Sequence, residues 1–215
     1  MPGSQLRPPR HAHALSLETP EDRLKVSSHD RVLPLARTLL ETVPLRYLRH
    51  PALLEDLAGR WSERQRAWHG PAHLLAMLEE IDALPDGDER DVLQLAALYH
   101  DAIYDPRAGD NEEASAALLI AHALDPASAV VVRAAELILA SKWAAPPATP
   151  LAEKFFALDT AQLADGCPIH ERLAYERAIF REYQWAAWPA YREKRWEFLE
   201  GWAERFPQHR RGVAE

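Results

Sequence analysis

Apolar residues recur at a helical spacing along nearly the whole chain from about residue 30 onward. In the first such repeat Val32, Ala36, Leu39 and Val43 fall on one face of an α-helix. Signals for β-strands are weak, because no Asn-Gly hairpin turn occurs and the only dense β-branched cluster, at 130–132, lies inside a helical repeat. The chain is therefore predicted to be all-α, a single irregular bundle of about eight or nine helices.

Prolines and acidic residues mark the expected helix boundaries. Pro51, Pro71 and Pro126 stand where a helix can begin, since the first turn needs no amide donor there. Asp110, with Glu113 three positions on, resembles a capping box. The predicted helices cover residues 31–43, 51–63, 71–84, 88–104, 110–124, 126–142, 151–164, 169–184 and 189–206. With only 8 glycines, the chain has no glycine-rich loop, which excludes P-loop and dinucleotide-binding motifs.

The length of 215 residues fits one domain. Residues 1–30 are rich in proline and basic residues and show no period, so we expect a flexible N-terminal tail there. Residues 31–208 are expected to form the all-α domain, and 209–215 a C-terminal tail. His11 and His13 are expected to be exposed in the first tail rather than bound to metal.

Net charge and cysteine content narrow the range of partners. The chain has 25 basic and 33 acidic residues, and its net charge of −8 argues against a nucleic-acid coat or an anionic membrane surface. No apolar run approaches the ~20 residues of a membrane span, and no secretory signal is recognisable. The single cysteine, Cys167, excludes an internal disulfide, so we expect a cytoplasmic protein. A homo-oligomer is compatible with the sequence, which leaves the oligomeric state open.

His100 and Asp101 form the first candidate for a metal site. They follow the apolar helix in LAALYHDAIYDP and can both reach an ion at its side, although they point about 100° apart on a helix. An imidazole with a carboxylate suits Zn, Mn, Fe or Co better than Ca. Taken alone, the dipeptide is better explained by a surface pair or by a histidine bonded to a backbone carbonyl.

The segment His69-Gly-Pro-Ala-His73 is the second candidate. Its H-x-x-x-H spacing is that of metalloproteases, but Gly70 stands where those enzymes need glutamate, which excludes that class. Pro71 places the start of a helix between the two histidines. We therefore predict His73 as a metal ligand in the first turn and His69 as a neighbour.

Carboxylates supply the remaining candidates. Several acids follow His100 and Asp101 closely, namely Asp105, Asp110, Glu112 and Glu113. Asp159 lies in the apolar segment FFALDTAQLA, where an unpaired carboxylate would be unfavourable by several kcal/mol. Its partner could be a metal ion or an Arg or Lys side chain, and the residues alone leave both open.

Together these residues give the order H…HD…D spread over helices, which resembles the HD-domain superfamily of metal-dependent phosphohydrolases. The chain looks most like a bacterial branch of predicted metal-dependent HD phosphohydrolases. The matching segments are RWSERQRAWHGPAHLLAMLEE, LAALYHDAIYDPRAGDNEEASA and LILASK, with weaker matches in FFALDTAQLADG and YERAIFREY. The resemblance covers about residues 31–205, and HDAIYDPRAGDNEEASA is its most specific part.

The resemblance implies one divalent metal ion (Mn, Mg, Zn, Co, Ni or Fe) and hydrolysis of a small phosphorylated metabolite or nucleotide by metal-activated water. The implied metal ligands are His73, His100, Asp101 and Asp159. The residues expected to act on the water are Asp101, which orients it, and Asp105 or Glu113, as general base. Substrate contacts are expected at Arg66, His69, Glu112 and Lys142.

The chain departs from the family pattern at three places, the first of which is Gly70-Pro71, in place of the usual pair between the two histidines. The usual D-x-D reads Asp159-Thr160-Ala161, and Trp143 follows Lys142 where the family tends to carry histidine. These changes keep open a degenerate HD domain that binds a ligand or partner. A di-iron oxygenase is disfavoured, since only His122 lies between the HD pair and Asp159. Four tryptophans crowd the C-terminal helices, and we expect core packing, with an interface as the alternative, for Trp185, Trp188, Trp196 and Trp202.

Overall fold

The computed structural model describes residues 28–209, and within that range the chain forms nine α-helices and no β-strand. They are α1 Ser28–Thr42, α2 Leu53–Trp61, α3 Pro71–Asp82, α4 Asp88–Tyr99, α5 Asn111–His122, α6 Ala129–Ala140, α7 Pro150–Asp159, α8 Ile169–Glu182 and α9 Trp188–Arg205. Short 3₁₀ turns are found at Leu45–Tyr47, Ala161–Leu163 and Pro207–His209. The prediction of an all-α bundle is thereby confirmed.

Helix α4 forms the centre of the bundle. Every residue from Asp91 to Tyr99 is buried, and α4 packs against α3, α5 and α6. A helix that is buried on all sides needs neighbours on all sides. His100, at the C-terminal end of α4, is consequently enclosed by protein and only 2% exposed.

Helices α3 and α7 bring two further segments to that end of α4. Helix α3 begins at Pro71 directly after Gly70, so His73 lies in its first turn and is buried. Helix α7 is capped by Thr149, whose hydroxyl accepts a hydrogen bond from the Ala152 amide at 3.1 Å, and it ends at Asp159. Helices α3 and α7 are in contact. His73 Nε2 in the first turn of α3 lies 3.3 Å from Asp159 Oδ1 at the end of α7.

Several helix ends differ from those expected; α7, for example, ends at Asp159 and not at 164. Helix α4 ends at Tyr99 and not at 104, because Arg66 and Ser115 bind backbone groups of residues 101–103. Helix α5 begins after Asp110 as expected, but the Asp110 side chain makes no capping hydrogen bond. The side-chain amide of Asn111 instead accepts a hydrogen bond from the backbone amide of Asp105 and donates one to the Asp105 carbonyl oxygen.

The predicted tails fall largely outside the described residues, as do His11 and His13, and helix α1 already begins at Ser28. None of the described helices has the length and apolar character that a membrane crossing requires. Core packing accounts for Trp202, which is 3% exposed. It does not account for Trp185, Trp188 and Trp196, which are 49%, 55% and 61% exposed.

Candidate metal centre

Four side chains from α3, α7 and the C-terminal end of α4 converge on one point. His73 Nε2 lies 3.4 Å from His100 Nε2 and 3.3 Å from Asp159 Oδ1. His100 Nε2 lies 3.2 Å from Asp101 Oδ2 and 3.4 Å from Asp159 Oδ1. The ligand atoms of His73, His100 and Asp101 all lie within 4.8 Å of one another, so these three residues could hold a metal ion. Asp159 adjoins this group on the side of the two histidines.

The hydrogen bond at the far side of His100 fixes which of its nitrogens faces the group. His100 Nδ1 lies 2.9 Å from the carbonyl oxygen of Ala97, which can only accept, so Nδ1 carries the proton. Nε2 faces the space shared with Asp101 and Asp159, where the protonated ring donates a hydrogen bond and the neutral ring offers a lone pair. Their carboxylate oxygens are also acceptors. A buried set of facing acceptors is stabilised by a proton or by a cation.

The charges in the group perturb one another strongly. Burial alone would lower the pKa of His100, but the carboxylates of Asp101 and Asp159 outweigh it and raise this pKa well above its ordinary value. Burial alone would raise the pKa values of Asp101 and Asp159, yet the neighbouring histidines hold both well below the ordinary range. Both acids are therefore carboxylates at neutral pH and available as ligands.

The donor–donor distances fit a small divalent ion. Two donor atoms about 2.1 Å from a common tetrahedral ion lie about 3.4 Å apart. The separation of the two imidazole nitrogens is 3.4 Å, and those between His100 Nε2 and the oxygens of Asp101 and Asp159 are 3.2 and 3.4 Å. Nitrogen and carboxylate oxygen together suit zinc and its first-row neighbours.

Trp143 holds the second oxygen of Asp159. Its indole Nε1 donates a hydrogen bond of 2.6 Å to Asp159 Oδ2, and the ring is 4% exposed. Trp143 has a φ of 46°, an uncommon value for a residue other than glycine. Trp143 therefore orients Asp159, which leaves Oδ1 facing the histidines.

Glu182, at the end of α8, anchors the segment that leads into α3. Its Oε1 accepts hydrogen bonds from the amides of Ala67, Trp68 and His69 at 2.6, 2.7 and 3.0 Å. Its Oε2 lies 2.6 Å from His69 Nδ1 and accepts a bond of 2.9 Å from the Tyr104 hydroxyl. One fully buried carboxylate thus binds five donors and fixes His69 with Nδ1 turned away from the cavity described below.

The pKa values of this pair follow from the same contacts. Burial alone would raise the pKa of Glu182, but the hydrogen bonds from His69 and the backbone amides lower it to about 2. Burial alone would lower the pKa of His69, but Asp101 and Glu182 raise it. Sequence reasoning missed Glu182. A signal existed, because residue 182 continues the buried stripe of Arg172, Tyr175 and Ile179 at helical spacing.

Arg66, expected to contact substrate, lies elsewhere. Its side chain is 1% exposed and donates to the carbonyl oxygens of His69, Asp101 and Ala102 at 3.0, 2.6 and 3.2 Å. Its Nε also bonds to Glu63 at 3.1 Å. Arg66 therefore connects the segment before α3 to the turn after α4 through hydrogen bonds to backbone carbonyl oxygens.

The acids expected as general bases are not brought to the group. Asp105 is exposed, and its carboxylate accepts a bond of 2.9 Å from the Arg107 amide in a turn. Glu113 is 53% exposed and pairs with Lys142 Nζ at 2.6 Å. Glu112 and Lys142 do line the cavity next to the group, 3.7 Å apart, and burial raises the pKa of Glu112.

His122 takes no part in the group. Its Nδ1 lies 3.1 Å from the Tyr99 hydroxyl. Among the described residues the only set of three or more metal-binding side chains with this close spacing is His73, His100 and Asp101.

The group opens into a cavity of about 640 Å³. His100, Asp101 and Asp159 line it, together with His69 and Lys142. Further lining residues come from α8, α9 and the segment between them. Cavities of this volume bind small molecules in many proteins.

Comparison of the chain with protein-family models, with curated proteins and with solved structures finds no match. The resemblance to HD-domain phosphohydrolases therefore stays a prediction. The chemistry of the site has to be inferred from its own geometry and charges.

Proposed function

We propose that this protein is a metal-dependent phosphohydrolase that acts on a small phosphorylated compound. The observation that carries the proposal is the convergence of two imidazoles and two carboxylates, from His73, His100, Asp101 and Asp159, the last three of which line a cavity. The order of these residues along the chain agrees with the proposed membership of the HD-domain superfamily.

A divalent ion bound to these four residues would polarise a phosphoryl oxygen and acidify a bound water. His69 Nε2 donates a hydrogen bond to the phosphate in this proposal, because Glu182 occupies Nδ1 and the raised pKa of His69 favours the protonated ring. Lys142 also lines the cavity, paired with Glu113 at 2.6 Å. Glu112 replaces Asp105 and Glu113 as the proposed general base, since it lines the cavity and burial raises its pKa.

The second candidate is a module that binds a partner without catalysis. The observation in its favour is the half-exposed set of Trp185, Trp188 and Trp196 on the C-terminal part of the chain. This candidate predicts binding that survives when the metal ligands are removed. The close, ordered approach of four potential ligands favours the hydrolase.

A panel of phosphate monoesters tests the hydrolase. Phosphate release is measured with metal-free protein and after addition of Mn, Mg, Co or Zn, for the wild type, for Asp159→Asn and for Asp86→Asn. Asp86 is the matched control, because its side chain is 95% exposed. We expect metal-dependent release that falls about 100-fold or more in Asp159→Asn and is unchanged in Asp86→Asn. No release with any ion, or full activity of Asp159→Asn, would refute the proposal.

A further inference from the structure

The lysines and the arginine that line the cavity are paired with carboxylates. The described residues contribute Lys142, Lys194 and Arg195 to its lining. Lys194 Nζ lies 2.7 Å from Glu197, and Arg195 makes two bonds to Glu176, of 2.9 and 2.6 Å. A cation that already faces a carboxylate attracts a further anion only weakly, because the two opposite charges largely cancel at a distance.

Lys142, the lysine that pairs with Glu113, faces a second carboxylate as well. Its Nζ lies 2.6 Å from Glu113 Oε1 and 3.7 Å from Glu112 Oε2, and Glu112 itself lines the cavity. His69 Nδ1 likewise lies 2.6 Å from Glu182 Oε2. Outside the candidate metal centre, every basic side chain of the described cavity lining therefore has a carboxylate partner.

Most of the other residues in the cavity lining are aromatic or aliphatic, among them Trp68, Tyr104, Ile179, Trp185 and Phe198. The volume of about 640 Å³ leaves room for an organic group beside a phosphate. An anionic group placed against such a surface loses water without gaining a charged partner, which is unfavourable, whereas an uncharged group loses far less.

We propose that the cavity selects phosphate esters whose alcohol part carries no negative charge. The phosphate is then the only anionic group of the substrate, and the divalent ion is the cation that it meets. Asp101 and Asp159 already offset the charge of that ion, so a second anionic group would meet like charges without a free cation. Diphosphates, bisphosphates and esters of hydroxy acids are therefore disfavoured. The inference rests on the proposed function for the position of the phosphate.

Two esters that differ by one charge test this preference. Benzyl phosphate with a carboxamide in the para position and benzyl phosphate with a carboxylate there have nearly the same shape and the same benzylic leaving oxygen. We expect kcat/KM of the Mn-loaded wild type to be roughly tenfold or more higher for the carboxamide, since the carboxylate finds no unpaired cation. Equal values, or a higher value for the carboxylate, would overturn the inference.

Glu113→Gln tests the part played by the carboxylate partners, because it removes the closest carboxylate from Lys142. We expect the preference for the carboxamide to narrow about threefold. The preference is a ratio of two values for the same protein, so it does not depend on how much of that protein is folded. Glu89→Gln is the matched control: it removes the carboxylate that lies 3.1 Å from Lys154, a lysine outside the cavity lining. An unchanged preference in Glu113→Gln, or the same narrowing in Glu89→Gln, would contradict the inference.

Binding without turnover separates this inference from the proposed function. The phosphonates in which a methylene group replaces the ester oxygen of the two compounds cannot release phosphate, and calorimetry measures their Kd for the Mn-loaded wild type. We expect the carboxamide to bind more tightly than the carboxylate. Such a difference, with no phosphate release from any ester under any metal, would refute the hydrolase and leave the inference standing. Phosphate release with equal kcat/KM for both esters, and equal Kd values for the phosphonates, would do the reverse.

Discussion

Glu182 shows how much one buried side chain can do in this protein. Its carboxylate binds five donors from the segment before α3 and from Tyr104. A carboxylate with a lowered pKa stabilises the fold at every pH above its unfolded value, and that stabilisation is lost as the pH falls through the folded value. For Glu182 these values are 4.5 and about 2, so the window lies between them.

We predict that acid destabilises the wild type more than the variant Glu182→Gln. Between pH 5 and pH 2.5 the wild type should lose about 2 kcal/mol of unfolding free energy through this group, and the variant should lack that part of the slope. His69 does not add to the difference, because its pKa is raised and it is protonated throughout this range. Urea unfolding at the two pH values measures the effect, and parallel losses in both proteins would contradict it.

A second prediction at the scale of one residue concerns Trp143. Its indole donates a hydrogen bond to Asp159 Oδ2 at 2.6 Å, so Trp143→Phe removes the bond that holds the Asp159 carboxylate in place. We expect the affinity for a divalent ion to fall roughly tenfold, as for other residues that orient a metal ligand. Titration calorimetry with Zn or Mn measures it, beside Trp196→Phe as control, since Trp196 is 61% exposed. Unchanged affinity in Trp143→Phe would show that Asp159 needs no such support.

At the scale of one helix, α7 carries Asp159 at its C-terminal end and depends on its N-cap. Thr149 Oγ1 accepts from the Ala152 amide at 3.1 Å. Thr149→Ala should lower the unfolding free energy by about 1 kcal/mol, whereas Thr149→Ser, which keeps the hydroxyl, should remain within a few tenths of the wild type. Urea unfolding of the three proteins checks this. Equal losses for serine and alanine would mean that the methyl group, and not the cap, stabilises α7.

Local signals in the sequence predicted the helices well but not all of their ends. Pro71 begins α3 as expected, because a proline suits a first turn whatever surrounds it. The end of α4 was predicted five residues too late, since Arg66 and Ser115 hold residues 101–103 out of the helix from elsewhere in the chain. Contacts between distant segments leave no local pattern for sequence reasoning to detect.

The sequence likewise predicted the candidate site only in part. The resemblance pointed to His73, His100, Asp101 and Asp159, and these four lie together. It did not show that Arg66 binds backbone carbonyls, because residue type does not show which partner a cation finds in the fold. Glu182 was missed because most of its partners, the backbone amides of residues 67–69 and the His69 ring, lie more than a hundred residues earlier in the chain.

At the scale of the whole molecule, the site joins segments that are far apart in sequence, so an ion bound there should stabilise the entire fold. Ligand present at 100 times its dissociation constant adds about 2.7 kcal/mol. For a domain of this size that corresponds to a rise in melting temperature of roughly 5–10 °C. Thermal unfolding with Mn or Zn, and again with a chelator, measures the shift. His73→Gln should show none, and an equal shift in that variant would place the ion elsewhere.

The central claim is that His73, His100, Asp101 and Asp159 hold one divalent ion. Equilibrium dialysis of the metal-free protein against Zn or Mn, followed by elemental analysis, tests it most directly. We predict one ion per chain for the wild type and for His170→Gln, whose histidine side chain is 78% exposed, and none for His100→Gln. A wild type that retains no ion, or a His100→Gln variant that retains one, would contradict the claim.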